Sequence, residues 1–123
     1  MSKAQWIKEN LKPGEHYAGL ILGKDGAPDH HLVLLPDAAE KLTWMQAKAW
    51  AKKAGGELPN RREQSLLFAN LKEQFEGAWY WSSEAPASYE SYAWSQSFYY
   101  GYQYWDDKVS ELRARAVRRI SIE

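Results

Sequence analysis

The sequence predicts an α+β fold, and three observations carry the prediction. Two apolar runs near the start, 16–22 and 31–35, are separated by Gly23, Gly26 and Pro28, the punctuation of a hairpin. Two central stretches repeat their apolar residues at helical spacing and carry capping residues in front. After Gly77 the period falls to about two and stays there, so strands follow the helices. Strands, then helices, then strands segregated along the chain is the order of an α+β domain rather than of alternating βα units.

Taken in order, residues 3–11 form a short helical lead-in before Pro13 and Gly14. The hairpin follows, with Pro36 expected to end its second strand because proline lacks the N–H that a ladder needs. Thr43 caps a helix whose apolar stripe is Trp44, Ala47 and Ala51, broadened by Met45, Ala49 and Trp50, and Gly55-Gly56 stops it. Asn60 caps the next helix, and Glu63 three residues on completes a capping box. Leu66, Leu67, Asn70 and Leu71 fall at the spacing of one face of that helix, with Phe68 and Phe75 off it. Strands are then expected at 79–83, 92–99, 102–105 and 112–120, forming an antiparallel meander. In the second of these, Trp94, Gln96 and Phe98 share one side while Ser95, Ser97 and Tyr99 share the other.

Composition bounds the function. At 123 residues the chain is expected to be one domain, 1–123, with no internal repeat or linker. Sixteen basic and sixteen acidic residues cancel, so no net field draws it to a polyanion or an anionic membrane. No stretch approaches the roughly 18–20 apolar residues of a membrane span, and the start lacks a signal-peptide core. The expectation is a protein made in the cytoplasm that leaves, if it leaves, by lysis, as part of a particle or by an unconventional route. With no cysteine, neither a disulfide nor a thiolate metal site is available, and no cofactor is expected.

The informative excess is aromatic. Between Trp79 and Trp105, twelve of twenty-seven residues are Trp, Tyr or Phe, more rings than a core of this size needs. Trp44, Trp81, Trp94 and Phe98 are assigned to the interior. The remainder, with the polar residues interleaved among them, make a candidate ligand surface: Tyr89, Tyr92, Ser95, Ser97, Tyr99, Tyr100, Tyr102, Gln103, Tyr104, Trp105 and Asp106. Tyr and Trp offer broad rigid contact at low entropic cost, and Ser adds adaptable hydrogen bonding. The bland alternative packs these rings under loops with their hydroxyls bonded inside.

Leu-Thr-Trp at 42–44, Gly-Gly-Glu-Leu-Pro-Asn-Arg-Arg-Glu at 55–63, Tyr-Trp-Ser-Ser at 80–83, Ala-Trp and Phe within 93–98, and Arg-Ala-Val-Arg at 115–118 together resemble a bacterial domain family of unknown function. That family also occurs at the C-terminus of a collagen-like bacterial adhesin and is frequent in phages and prophages. The resemblance covers about 17–120. It implies a C-type-lectin-like fold, shared with the formylglycine-generating enzyme group and with variable receptor-binding proteins diversified by retroelements. In such folds two helices flank a twisted antiparallel sheet, and ligands meet the last strands and their loops. It also implies that the two arginine-bearing segments lie close, so that Glu63 pairs with Arg115 or Arg118 in a structural role. Trp105-Asp106-Asp107 looks similar to half of a calcium site, but Glu84-Ala85-Pro86 is a poor version of the other half, and calcium wants about 6–8 oxygens.

Catalysis lacks a constellation. His16, His30 and His31 all lie in the first hairpin, and the adjacent pair His30-His31 points to opposite faces of a strand. No histidine stands near the serine-rich strands in sequence, and no glycine-rich phosphate loop is present. The expected function is therefore non-enzymatic recognition of a protein or glycan through residues 89–106, with self-association through the same rings left open. The alternative is an intracellular phage factor that uses Arg61, Arg62, Arg113, Arg115, Arg118 and Arg119 on nucleic acid or a nucleic-acid machine.

Overall fold

The protein is described by a computed structural model covering residues 1–122. Three helices and six strands follow the chain: α1 Lys3–Asn10, β1 His16–Ile21, β2 Asp29–Leu42, α2 Trp44–Lys53, α3 Arg61–Leu71, β3 Trp79–Trp81, β4 Tyr92–Ser97, β5 Gln103–Asp107 and β6 Leu112–Ile122. The strands form one open sheet in the order β1-β2-β6-β3-β4-β5. The class is α+β, as the sequence predicts.

Local chemistry starts the helices where the sequence places them. The Thr43 hydroxyl accepts from the Gln46 amide while the Gln46 side chain returns to the Thr43 amide, and Asn60 and Glu63 do the same for α3. Two expectations fail at the sheet. Pro36 does not end the second strand; β2 runs on to Leu42, and its register against β6 shifts between Leu34 and Ala38. The irregularity absorbs the missing proline donor, as a bulge does. Nor is the C-terminal part an antiparallel meander. Strand β6 returns to lie between β2 and β3, antiparallel to the first and parallel to the second, so the sheet is mixed.

Both faces of this sheet are covered. Helix α2 sets Trp44, Ala47 and Ala51 against Leu35, Trp81, Ala93, Ala114 and Ala116 on one face. Helix α3 sets Leu67, with Leu66 and Phe68, against Leu32, Leu34, Tyr80, Phe98 and Val117 on the other. Phe75, off the expected helical stripe, stacks on Phe98 at 3.9 Å between ring centroids. The indole N–H groups of Trp44 and Trp81 donate to the carbonyls of Ser82 and Leu42, each at 2.8 Å, so both rings are buried with their polar atoms satisfied. No helix is long and apolar enough to cross a membrane among the described residues.

Coverage on both sides corrects the reading of β4. Ser95 and Ser97 were expected on the open surface, yet they are 0% and 2% exposed. Ser95 lies between Trp81 and Tyr104 on the neighbouring strands, and Ser97 lies beside Trp79. A small side chain between large cross-strand neighbours is roofed over.

The arginine pairing is corrected too. Glu63 does not bind Arg115 or Arg118; its carboxylate takes two bonds from Arg119, Nε at 2.7 Å and Nη2 at 2.8 Å, and one contact of 2.8 Å from His30. Register explains the difference. Arg119 stands opposite Leu32, level with the start of α3. Arg115 shares that face but lies four residues back, about 13 Å along the strand. There its guanidinium donates to the carbonyls of Gln74 and Leu35. Arg118 points to the opposite face and binds Glu15 through both carboxylate oxygens, with the Asn10 carbonyl alongside.

Candidate functional site

The exposed rings gather around β5, the last strand of the sheet. Their placement begins in the turn at 98–101. The Ser97 hydroxyl accepts from the amides of both Tyr99 and Tyr100, and the Ser97 carbonyl accepts from Gly101. Gly101 has φ +88, and a Cβ there would meet the Phe68 ring at 2.9 Å. Only glycine fits this corner without strain. So Ser97, expected to touch ligand, instead holds the turn that throws Tyr99 and Tyr100 outward. Phe98 turns inward to the core between them and Ser97.

On the α2 side of β5 the rings form a strip. Tyr99 meets Tyr100 at 4.6 Å, Tyr100 stacks toward Tyr102 at 5.7 Å, Tyr102 meets Tyr104 at 6.5 Å, and Tyr104 meets Trp79 at 6.1 Å. Tyr99, Tyr100, Tyr102 and Tyr104 are each 61–67% exposed. A strip of ring contacts left this open is unusual in a structure that buries Tyr80 and Trp81 almost completely.

On the α3 side a second cluster surrounds Trp105. Tyr89 lies 4.8 Å from it, Tyr92 6.1 Å and Trp94 5.6 Å, the last edge-on. Trp94, assigned to the interior, is only half-buried; the Arg61 guanidinium lies 3.6 Å above its ring. Tyr92, Trp94, Gln103, Tyr104 and Trp105 line a shallow groove of about 440 Å³. Gln103 is held rather than free: its oxygen accepts from Arg61 Nε and its nitrogen donates to the Arg61 carbonyl and to Gln96. Gln96 in turn donates to the Gln64 carbonyl, so a buried amide chain fixes the groove floor to α3.

Asp106 and Asp107 do not share a side. Asp106 is half-buried and accepts from the Ser95 hydroxyl at 2.8 Å, whereas Asp107 is exposed. The His30-His31 pair likewise separates: His30 meets Glu63, and His31 Nδ1 lies 2.7 Å from the Tyr17 hydroxyl under Trp6. Burial alone would raise the Glu63 carboxyl. The bonds from Arg119 and the Asn60 amide outweigh it and hold the group below its ordinary value. The Arg118 hydrogen bond likewise lowers Glu15, and burial pulls Arg115 down.

No model of a known protein family matches this chain, and no curated protein matches it in sequence. The site must therefore be read from its own chemistry. Sequence reading missed two members. The sequence pattern places Trp79 only in a strand, though its position in the aromatic run is the available signal. Arg61 was counted with the arginines, and nothing local links it to Trp94, forty-two being the sequence gap to its Gln103 partner.

A larger concavity, about 520 Å³, lies beside α2 and is lined by Met45, Lys48, Ala49, Lys52, Gly56, Glu57, Leu58 and Ser83. Its polar lining is Lys48, Lys52, Glu57 and Ser83 in a mainly apolar wall, and Glu57 is already paired with Arg119, so the aromatic surfaces remain the better candidate.

Proposed function

We propose that this chain is a non-enzymatic recognition module that binds a protein or glycan ligand through the rings around β5. The observation that carries the reading is the continuous strip Tyr99, Tyr100, Tyr102 and Tyr104, open to solvent on a turn fixed by Ser97 and Gly101. Rings already held in place lose little freedom on binding, which is how aromatic anchors gain affinity. Tyr89, Tyr92 and Trp105, with Arg61 over Trp94, extend the surface to the other side of the strand.

A C-type-lectin-like architecture belongs to the same proposal. Its support is the return of β6 to the N-terminal hairpin, with α2 and α3 on opposite faces of the sheet. A phage or prophage setting, and a place on a virion, rest on the sequence resemblance and are tested by the neighbouring genes. The nucleic-acid alternative has less to work with, since Arg115, Arg118 and Arg119 are all bonded to internal partners.

The test is capture of ligands from host lysate and on a glycan panel, repeated with Tyr99→Ala/Tyr102→Ala. Loss of capture with unchanged melting supports the surface. Undiminished capture removes it.

A further inference from the structure

We propose that a second copy of this chain pairs along β5, edge to edge, about a two-fold axis at Trp105. The edge strand offers the backbone for it. Tyr102 and Lys108 bond inward to Ser97 and Ser91, and Trp94 turns its own N–H and C=O away from β5, toward Glu84 and Ser82. In an antiparallel ladder these bonds fix the phase: Tyr102, Tyr104, Asp106 and Lys108 bond to β4, and Gln103, Trp105 and Asp107 point their backbone outward. No strand pairs with that outward side among the described residues. An unpaired edge flanked by exposed rings is a template for another chain.

The side chains select the occupant and its register. A two-fold axis at Trp105 lets the two Trp105 residues exchange both backbone bonds, and each Asp107 N–H reaches the partner's Gln103 carbonyl. The Asp107 carbonyl already accepts from Ser110, so four bonds form in all. Asp107 then arrives beside Gln103, whose oxygen is held by the Arg61 guanidinium, and its exposed carboxylate gains a cation. Asp106 faces Tyr104, so no like charges oppose each other. Moving the axis to Asp107 would set two carboxylates face to face, which is destabilising. Moving it to Tyr104 would leave Asp107 opposite Gly101, away from Arg61.

Trp105, Tyr104 and Tyr102 carry on the order of 100 Å² of exposed ring each. With the strand backbone this falls short of the roughly 800 Å² per partner of a standard stable interface. The expected dimer is therefore reversible and concentration-dependent.

Sedimentation and native mass measurement of the whole chain test it. The mass should rise from 14.2 kDa toward twice that value between low and high micromolar concentration. Asp107→Arg, a change at an exposed side chain, should shift the midpoint at least tenfold upward. The chain has no cysteine, so Trp105→Cys gives a single reporter. Opposed Cα atoms about 5.5 Å apart lie within disulfide reach, and mild oxidation should link this variant faster than Tyr104→Cys or Val109→Cys. A chain that stays at 14.2 kDa through hundreds of micromolar overturns the pairing, as does faster linking of Tyr104→Cys or a midpoint unmoved by Asp107→Arg. A monomer would leave the ligand reading standing, so the two proposals fail separately.

Discussion

The two ends of the sheet treat polar and aromatic side chains in opposite ways. At the β1-β2-β6 end, charged groups are drawn inside and locked: Glu63 is wholly buried under Arg119 and His30, Glu15 is clasped by Arg118, and Arg115 is closed over by two carbonyls. At the β4-β5 end, rings that would stabilise any core are left in water. Burying an ion pair costs desolvation, and exposing Tyr and Trp forgoes burial. The first cost is recovered by fixed geometry between helix and sheet. The second has no return inside the monomer, which is why the ring-bearing end is where a partner is sought.

Breaking the locked end should give the largest effect. Glu63→Ala strands Arg119 and removes half of a capping box, and is expected to cost about 3–5 kcal/mol in denaturant unfolding. Acid sharpens the same point without mutation. Glu63 and Glu15 both lie below the ordinary value of 4.5 in the folded chain. Their contribution is thus complete above that value and is lost as pH falls through the lowered folded values. The wild-type melting temperature should therefore drop below about pH 4.5, and Glu63→Gln should show a shallower drop.

At the other end, adjacent residues provide an internal control. Phe98→Ala removes a ring packed between Phe75 and Tyr80 and should cost about 3–5 kcal/mol. Gly101→Ala meets both a positive φ and the Phe68 ring, and should cost at least about 1 kcal/mol. Tyr99→Ala, one residue from Phe98, should stay within about 0.5 kcal/mol of wild type. A Tyr99→Ala loss comparable to that of Phe98→Ala would erase the contrast between the two ends.

What was legible in the sequence follows from range. Thr43 and Asn60 announce their helices because a cap and its partner lie within one turn. The excess of rings was countable, and Tyr99, Tyr100, Tyr102 and Tyr104 stand outside as that count required. Ser95 was misread because its burial depends on Trp81 and Tyr104, residues on two other strands. The partner of Glu63 was misassigned for the same kind of reason: choosing Arg119 over Arg115 takes the register of β2 against β6, which no local pattern encodes. Pro36 misled by a rule that holds for regular ladders but not for a shifted one.

The placement of β6 has a consequence for how the molecule assembles. Within the sheet, β6 alone joins the hairpin β1-β2 to the strands β3-β4-β5, and it begins about seventy residues after β2 ends. Until it docks, two half-sheets wait with raw edges and an unsealed interior. Folding should accordingly be slow for a chain of this length, and the waiting halves are where helper proteins or misassembly would find their opening.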